Sequence, residues 1–267
     1  MKIGSREFDE RLPYIMGILN VTPDSFSDGG SYDRMGSALK RVQEMIEEGA
    51  DIIDIGGEST RPGFLKVSAV EEEARVLPVV AAINERFDVP VSVDTTKAQV
   101  AKLALELGAD MINDVSGLKA DPDMAAVVAG AGVPVCVMHS RDNTDYNDLI
   151  PDVIRELNEC VDIALAAHID RSRIIIDPGI GFGKTTQQNL RVIKELEQFK
   201  KLGYPLLVGA SRKSVIGNTL DLPVTEREEG TIAITTISVM ADAMFIRVHD
   251  VKKNVRAMKM ALAIRNA

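Results

Sequence analysis

The chain has 267 residues, 45% of them hydrophobic, a net charge of −9 and two cysteines. That length and apolar content suit one α/β barrel or two small domains; no linker composition divides the chain, so a single domain over 1–267 is expected. The acidic balance argues against nucleic acid or an anionic membrane surface as partner, since neither would be attracted over long range, and an anionic small molecule would need locally gathered cations.

The N-terminal Met1-Lys-Ile-Gly-Ser-Arg-Glu7 has no apolar targeting region, and the most apolar later stretch, Thr231 to Ile246, is broken by Thr, Ser and Asp242. Cys136 in an apparent strand and Cys160 in an apparent helix read as core thiols of a reducing compartment. A soluble cytoplasmic protein is expected.

In chain order, Tyr14 to Leu19 is an apolar run ending at Asn20, and it opens into the polar, turn-rich Thr22-Pro-Asp-Ser-Phe-Ser-Asp-Gly-Gly30, read as a mobile loop. Ala38, Val42, Met45, Ile46 and Gly49 follow at helical spacing and lead into Ala50-Asp-Ile-Ile-Asp-Ile-Gly-Gly57, a strand. This helix-then-strand unit returns at Lys97 to Leu107 followed by Gly108-Ala-Asp-Met-Ile-Asn-Asp114, and more loosely before Arg247. Val89-Pro-Val-Ser-Val-Asp94, Val133-Pro-Val-Cys-Val-Met-His139 and Tyr204-Pro-Leu-Leu-Val-Gly209 form a second family of similar strands.

Strand starts fall near residues 14, 51, 90, 110, 133, 173, 205 and 243, each followed by a helical pattern. Eight βα units predict an α/β fold, a single (β/α)8 TIM barrel, before a doubly wound sheet. Polar or glycine-rich positions end nearly every strand: Asn20, Asp54, Asp94, Asn113, His139, Asp177, Ser211 and Arg247. In a barrel these converge on one mouth, so the active site is expected at the C-terminal ends of the strands.

Within the sixth unit, Ile174-Ile-Ile-Asp-Pro-Gly-Ile-Gly-Phe-Gly-Lys184 sets a carboxylate at the lip of a buried strand beside a glycine loop, with Phe182 able to cover a flat ring and a helix resuming from Gln187 to Leu196. Two readings fit this stretch alone: a binding loop, or an ordinary βα turn whose Asp caps the next helix. Arg61, Arg212, Lys213, Arg247 and His249 gather positive charge after strands, and the loops after strands seven and eight commonly hold phosphate in such barrels. Asp94, Asn113 and Asp177 would be costly to bury without donors. Either a flat heterocycle with an amidine-like edge supplies those donors, or water and the local cations do.

Taken together, Thr22 to Gly30, Gly56-Gly-Glu-Ser-Thr-Arg-Pro-Gly63, Ser92-Val-Asp-Thr95, Asn113-Asp114, Asp177 to Lys184, Ser211-Arg-Lys213 and Arg247-Val-His249 closely resemble dihydropteroate synthase, in order, from about Met16 to the last helix. The resemblance implies condensation of a dihydropterin methyl diphosphate with p-aminobenzoate, giving dihydropteroate and diphosphate, in folate biosynthesis. It implies that Asp177 and Asn113 read the pterin's pyrimidine edge, with Asp94 on its N1/N8 side and Lys213 near O4 and N5. Asn20 would meet the Mg²⁺ that accompanies the diphosphate. Thr60, Arg247 and His249 would hold diphosphate oxygens, and Ser211, Phe182 and Arg61 would line the p-aminobenzoate end. Asp94, Lys213 and Arg61 are the candidate catalytic groups, sulfonamides are expected to compete, and a homodimer through the outer helices of the late units is implied.

Methyltetrahydrofolate-dependent methyltransferases and non-catalytic pterin-binding paralogues are the competing readings. The first have no diphosphate to hold; the second should lack one of Asn20, Arg61, Lys213 or His249, and all four are present. Met138 to Tyr146 carries no assigned role, with His139 standing equally as a supporting donor or a ligand contact. His168 is expected on a solvated helix face.

Overall fold

The structure, a computed structural model, describes residues 1–22, 31–58 and 67–267, with the backbone alone for residues 31–34. The expectations for the loops at 23–30 and 59–66, including Thr60 and Arg61, lie outside the described residues. Two short strands, β1 (Lys2–Ile3) and β2 (Arg6–Glu7), pair antiparallel. Eight parallel strands follow: β3 (Tyr14–Asn20), β4 (Ile52–Gly56), β5 (Val91–Asp94), β6 (Met111–Asp114), β7 (Val135–Met138), β8 (Ile174–Asp177), β9 (Leu207–Val208) and β10 (Phe245–Val248). Between and after them run α1 (Ser31–Glu48), α2 (Ala69–Arg86), α3 (Ala98–Glu106), α4 (Met124–Ala131), α5 (Leu149–Ala166), α6 (Thr186–Lys194), α7 (Ser214–Leu220), α8 (Glu228–Met240) and α9 (Val251–Arg265).

The strands are ordered β8-β7-β6-β5-β4-β3-β10-β9, and a parallel bridge between Ile176 and Leu206 joins the two ends. The Ile176 N–H donates to the Pro205 carbonyl at 2.9 Å across the same junction. The predicted (β/α)8 barrel is therefore the observed architecture, with each of the eight anticipated strands present.

Side chains alternate across a strand, and in a closed barrel one set faces the helices while the other fills the centre. Ile15, Ile53, Val91, Val93, Ile112, Val135, Val137, Ile174, Ile176, Val208 and Ile246 pack outward in the larger core, which also takes in the buried faces of the helices. Met16, Ile52, Met111, Cys136, Ile175, Leu207 and Phe245 form a second, separate apolar cluster inside. Burial on both sides explains why strands such as Ile174-Ile-Ile read as unbroken apolar runs.

The N-terminal hairpin closes the bottom of that inner cluster: Ile3 and Phe8 belong to it, and the Phe8 ring meets Tyr14 edge-on at 4.8 Å and lies 5.8 Å from Phe245. Its two-residue strands leave no periodicity for sequence reading to detect. Met16, Ile52, Met111, Ile175 and Phe245 are fully buried, and each contributes roughly 2 kcal/mol.

Capping boxes at Ser68 with Glu71 and at Thr185 with Gln188 start α2 and α6. The helix expected from Gln187 to Leu196 ends at Lys194 and gives way to a 3-10 turn over Leu196–Leu202. His168 is exposed as expected, but it stands beyond the end of α5 in the left-handed region, with φ 65°, and not on a helix face. No helix among the described residues is long and apolar enough to cross a membrane.

Candidate active site

Two residues above the inner apolar cluster, the same strand faces turn polar. From Ile52 the next inward position is Asp54; from Met111 it is Asn113; from Ile175, Asp177; from Leu207, Gly209; from Phe245, Arg247. Asp94, two residues past the buried Ser92, completes this layer. An apolar plug thus floors a ring of acids, an amide and a guanidinium at the C-terminal mouth.

Arg247 stands between two acids: its Nε donates to Asp54 Oδ2 at 2.6 Å and its Nη2 to Asp94 Oδ2 at 2.6 Å. Asn113 Nδ2 donates to the same Asp54 oxygen at 3.3 Å, while Asp54 Oδ1 is buried with no hydrogen-bond partner among the described residues. Burial pushes the Asp94 carboxyl up, opposed by the Arg247 charge and reinforced by Asp54. The guanidinium is itself raised, because the attraction of Asp54 and Asp94 outweighs its burial. Pairing of these acids with a local cation, one of the two alternatives open in the sequence, is therefore what Asp94 does.

Asp177 is different. Its Oδ1 accepts the Gly179 N–H at 2.7 Å, and its Oδ2 faces the bare α-carbon of Gly209, where an added Cβ would lie 3.7 Å away. Burial raises this carboxyl too, opposed first by Lys213. Lys213 donates to the Ile180 carbonyl at 2.5 Å and lies 4.6 Å from the centroid of the Phe182 ring. Burial lowers Lys213 to about 8, with Asp177 acting against the fall.

On the other flank, Ser211 Oγ lies 3.0 Å from His249 Nδ1 and accepts the His249 N–H at 3.2 Å. Asn20, at the end of β3, and Asp94 both border Gly56: a Cβ built there would sit 3.6 Å from Asn20 Oδ1 and 3.9 Å from Asp94 Oδ2. A neutral amide oxygen is a hard donor suited to Mg²⁺. Among the described residues no cluster of three His, Cys, Asp or Glu could hold a metal.

The predicted residues Asn20, Asp94, Asn113, Asp177, Phe182, Ser211, Lys213, Arg247 and His249 all lie at this mouth. Arg212, counted among the gathered cations, turns away into a forked pair with Asp250 at 2.8 Å from Nη2. Sequence reasoning gave no role to Asp54, whose signal was a carboxylate in mid-strand between isoleucines, nor to Lys184 and Glu156, whose partners are far apart in the chain.

A parallel barrel with a buried polar layer above an apolar floor at the C-terminal ends of its strands has the layout of an α/β-barrel enzyme. Residues 16–249 match the pterin binding enzyme family. A dihydropteroate synthase of Clostridium beijerinckii is 59% identical over 263 residues, 97% of each chain. Among solved structures, the dihydropteroate synthase of Clostridium difficile in the presence of pteroic acid superposes with a TM-score of 0.93 at 44% identity, covering 99% of this chain and 98% of that one. That of Yersinia pestis, in a sulfonamide drug complex, gives 0.94 at 43% identity, covering 100% and 99%. The chain belongs to the pterin-binding enzymes and, within them, to the dihydropteroate synthases, transferases of folate biosynthesis.

Proposed function

We propose that this site condenses (7,8-dihydropterin-6-yl)methyl diphosphate with p-aminobenzoate, with Asp177, Asn113, Asp94 and Lys213 as the pterin-binding groups. The reading is carried by the polar layer directly above the inner apolar cluster, where burial disfavours the bare Asp177 carboxylate and donors on a ring edge would stabilise it. The C–O bond at the pterin methylene breaks with its electron pair leaving on diphosphate. The arylamine nitrogen then forms the new C–N bond and gives up a proton. Positive charge spread into the ring in the first step is stabilised by Asp94.

Asn20 would be the protein contact for Mg²⁺, which would supply charge neutralisation to the leaving diphosphate. Arg247, engaged with Asp54 and Asp94, holds diphosphate oxygens and adds its positive charge on that side, and His249 and, from the loop outside the described residues, Thr60 hold further oxygens. Phe182, Ser211 and Arg61 line the arylamine end, where sulfonamides compete. A single domain, a cytoplasmic setting and a homodimer complete the reading. The buried free thiols of Cys136 and Cys160 support the second. The dimer is supported by apolar residues left exposed on α8 and α9, Ile237 at 44%, Met240 at 43%, Met260 at 62% and Ile264 at 53%.

Diphosphate release measured with and without p-aminobenzoate tests the reaction. Release should require both substrates and Mg²⁺ and should fall by about 100-fold or more in Lys213→Ala, as when one preorganised donor is removed. Tight pterin binding without release would instead make the chain a pterin-binding protein without synthase activity.

The protonated form of Lys213 is the hydrogen-bond donor and prevails below its lowered value of about 8. We expect kcat/KM for the pterin substrate to fall as pH rises through that region, and Lys213→Arg to move the falling limb to higher pH. An unchanged limb in the arginine variant would assign the titration to another group.

A further inference from the structure

Lys184 is buried, 9% exposed, and burial lowers its amine to about 7; its Nζ donates to the Gly179 carbonyl at 2.9 Å and the Phe182 carbonyl at 3.1 Å and lies 2.9 Å from His139 Nδ1. With Nδ1 accepting, the His139 proton sits on Nε2, 3.0 Å from Glu156 Oε2 on α5. Glu156 is clamped in turn by Arg141, whose Nε donates to the same Oε2 at 2.8 Å and which also bonds Oε1. Burial and the nearby Lys184 charge hold His139 near 3, so its ring is neutral. Glu156 is held at about 2, chiefly by Arg141, so it is the anion that ends the chain.

The same segment grips the glycine loop again from outside. Tyr146 OH donates to the Gly183 carbonyl at 2.8 Å, Gln188 Nε2 donates to the Thr144 carbonyl at 2.9 Å, and Arg141 caps the Tyr146 ring at 4.2 Å. The loop so held carries the Ile180 carbonyl and the Phe182 ring, the two groups that meet Lys213.

We infer that Lys184, set by His139 and Glu156, is a positioning residue that fixes the glycine loop and so holds the Phe182 ring at the arylamine end of the site. This rests on the reading of Phe182 as a group that lines the arylamine end. Lys184 touches neither substrate; it acts through the backbone carbonyls of Gly179 and Phe182. At the pterin end, Asp177 belongs to β8 and its carbonyl accepts the His139 backbone N–H at 2.9 Å, a bond that side-chain variants at 184 and 139 leave in place, and Lys213 is carried by the connection between β9 and α7.

Steady-state kinetics with both substrates varied test this. In Lys184→Met and His139→Phe the KM for p-aminobenzoate should rise about tenfold while the KM for the pterin diphosphate stays within about threefold. His139→Gln keeps an acceptor for Lys184 and a donor for Glu156, and should stay within about threefold of wild type in both constants. Tyr146→Phe removes one exposed-side bond, should fold without difficulty, and should raise the p-aminobenzoate KM about two- to threefold.

An unchanged p-aminobenzoate KM in Lys184→Met, or both KM values rising together there, would overturn the inference. Should the Lys184 and His139 variants fail to fold, an unchanged p-aminobenzoate KM in Tyr146→Phe overturns it alone. Phe182→Ala separates the two layers of argument: if it leaves the p-aminobenzoate KM unaltered, the site reading fails, whereas a raised KM there with a silent Lys184→Met defeats only the positioning role.

Discussion

Arg247→Met should cost about 3–5 kcal/mol of stability at neutral pH and reduce turnover by at least about 100-fold, because it leaves two buried carboxylates facing each other without their cation. Asp54 is fully buried and the Asp94 side chain is only 10% exposed, so water cannot replace the guanidinium. Methionine preserves the length of the stem, and the loss is then one of charge and hydrogen bonds, not of packing volume.

The pH dependence follows from the direction of the Asp94 shift. That carboxyl is already raised in the folded protein, and without Arg247 it rises further. A folded value above the unfolded one gives stability that is present below the unfolded value and lost as pH climbs through the folded one. The deficit of the variant against wild type should therefore shrink as pH is lowered from about 8 to about 5. Urea unfolding at a series of pH values measures it; a deficit below about 1 kcal/mol, or one that does not change with pH, would mean that the guanidinium does not hold these acids.

Gly179→Ala is the second large effect. Gly179 has φ of +69°, in the left-handed region where a β-carbon costs about 1–2 kcal/mol. That β-carbon would also lie 1.8 Å from the His139 carbonyl oxygen, a backbone atom that cannot rotate away. Relief requires the β7–α5 and β8–α6 connections to separate, which breaks the Gly179 N–H bond to Asp177 and the Lys184 bond to the Gly179 carbonyl. Activity should fall by about 100-fold or more, since displacements of about 1 Å in positioning elements have effects of that order. Gly130→Ala, on α4 with nothing within 4 Å of the new methyl, should be neutral or slightly stabilising. Equal activity in the two variants would refute the close approach of the loops.

The barrel was legible in the sequence because its strands are buried on both faces and their last inward residues are polar, a contrast that survives without coordinates. The register that turns Asp54, Asn113, Asp177 and Arg247 into one layer follows from the two-residue alternation, so convergence could be argued from the chain alone. Pairing could not. That Arg247 serves Asp54 and Asp94 while Arg212 turns to Asp250 depends on the stagger of neighbouring strands, and residue types alone do not carry stagger. Lys184 escaped for a related reason. It reads as the end of a glycine motif, and its acceptor on His139 lies 45 positions away. The hairpin over residues 1–8 was invisible because strands of two residues have no period.

The barrel wall is not equally laced around its circumference. β3 and β4 share five register pairs, whereas β8 and the segment leading into β9 meet through the single bridge of Ile176 with Leu206. Asp177 and Phe182 lead from one lip of that seam, and Ser211 and Lys213 from the other. The contact of Lys213 with Phe182 and the Ile180 carbonyl is thus a clasp across the weakest junction of the cylinder. The two lips of the seam, with Phe182 on one and Lys213 on the other, are tied by side chains where the backbone ties them least, while Asn20 and Asp54 stand on the five-paired wall.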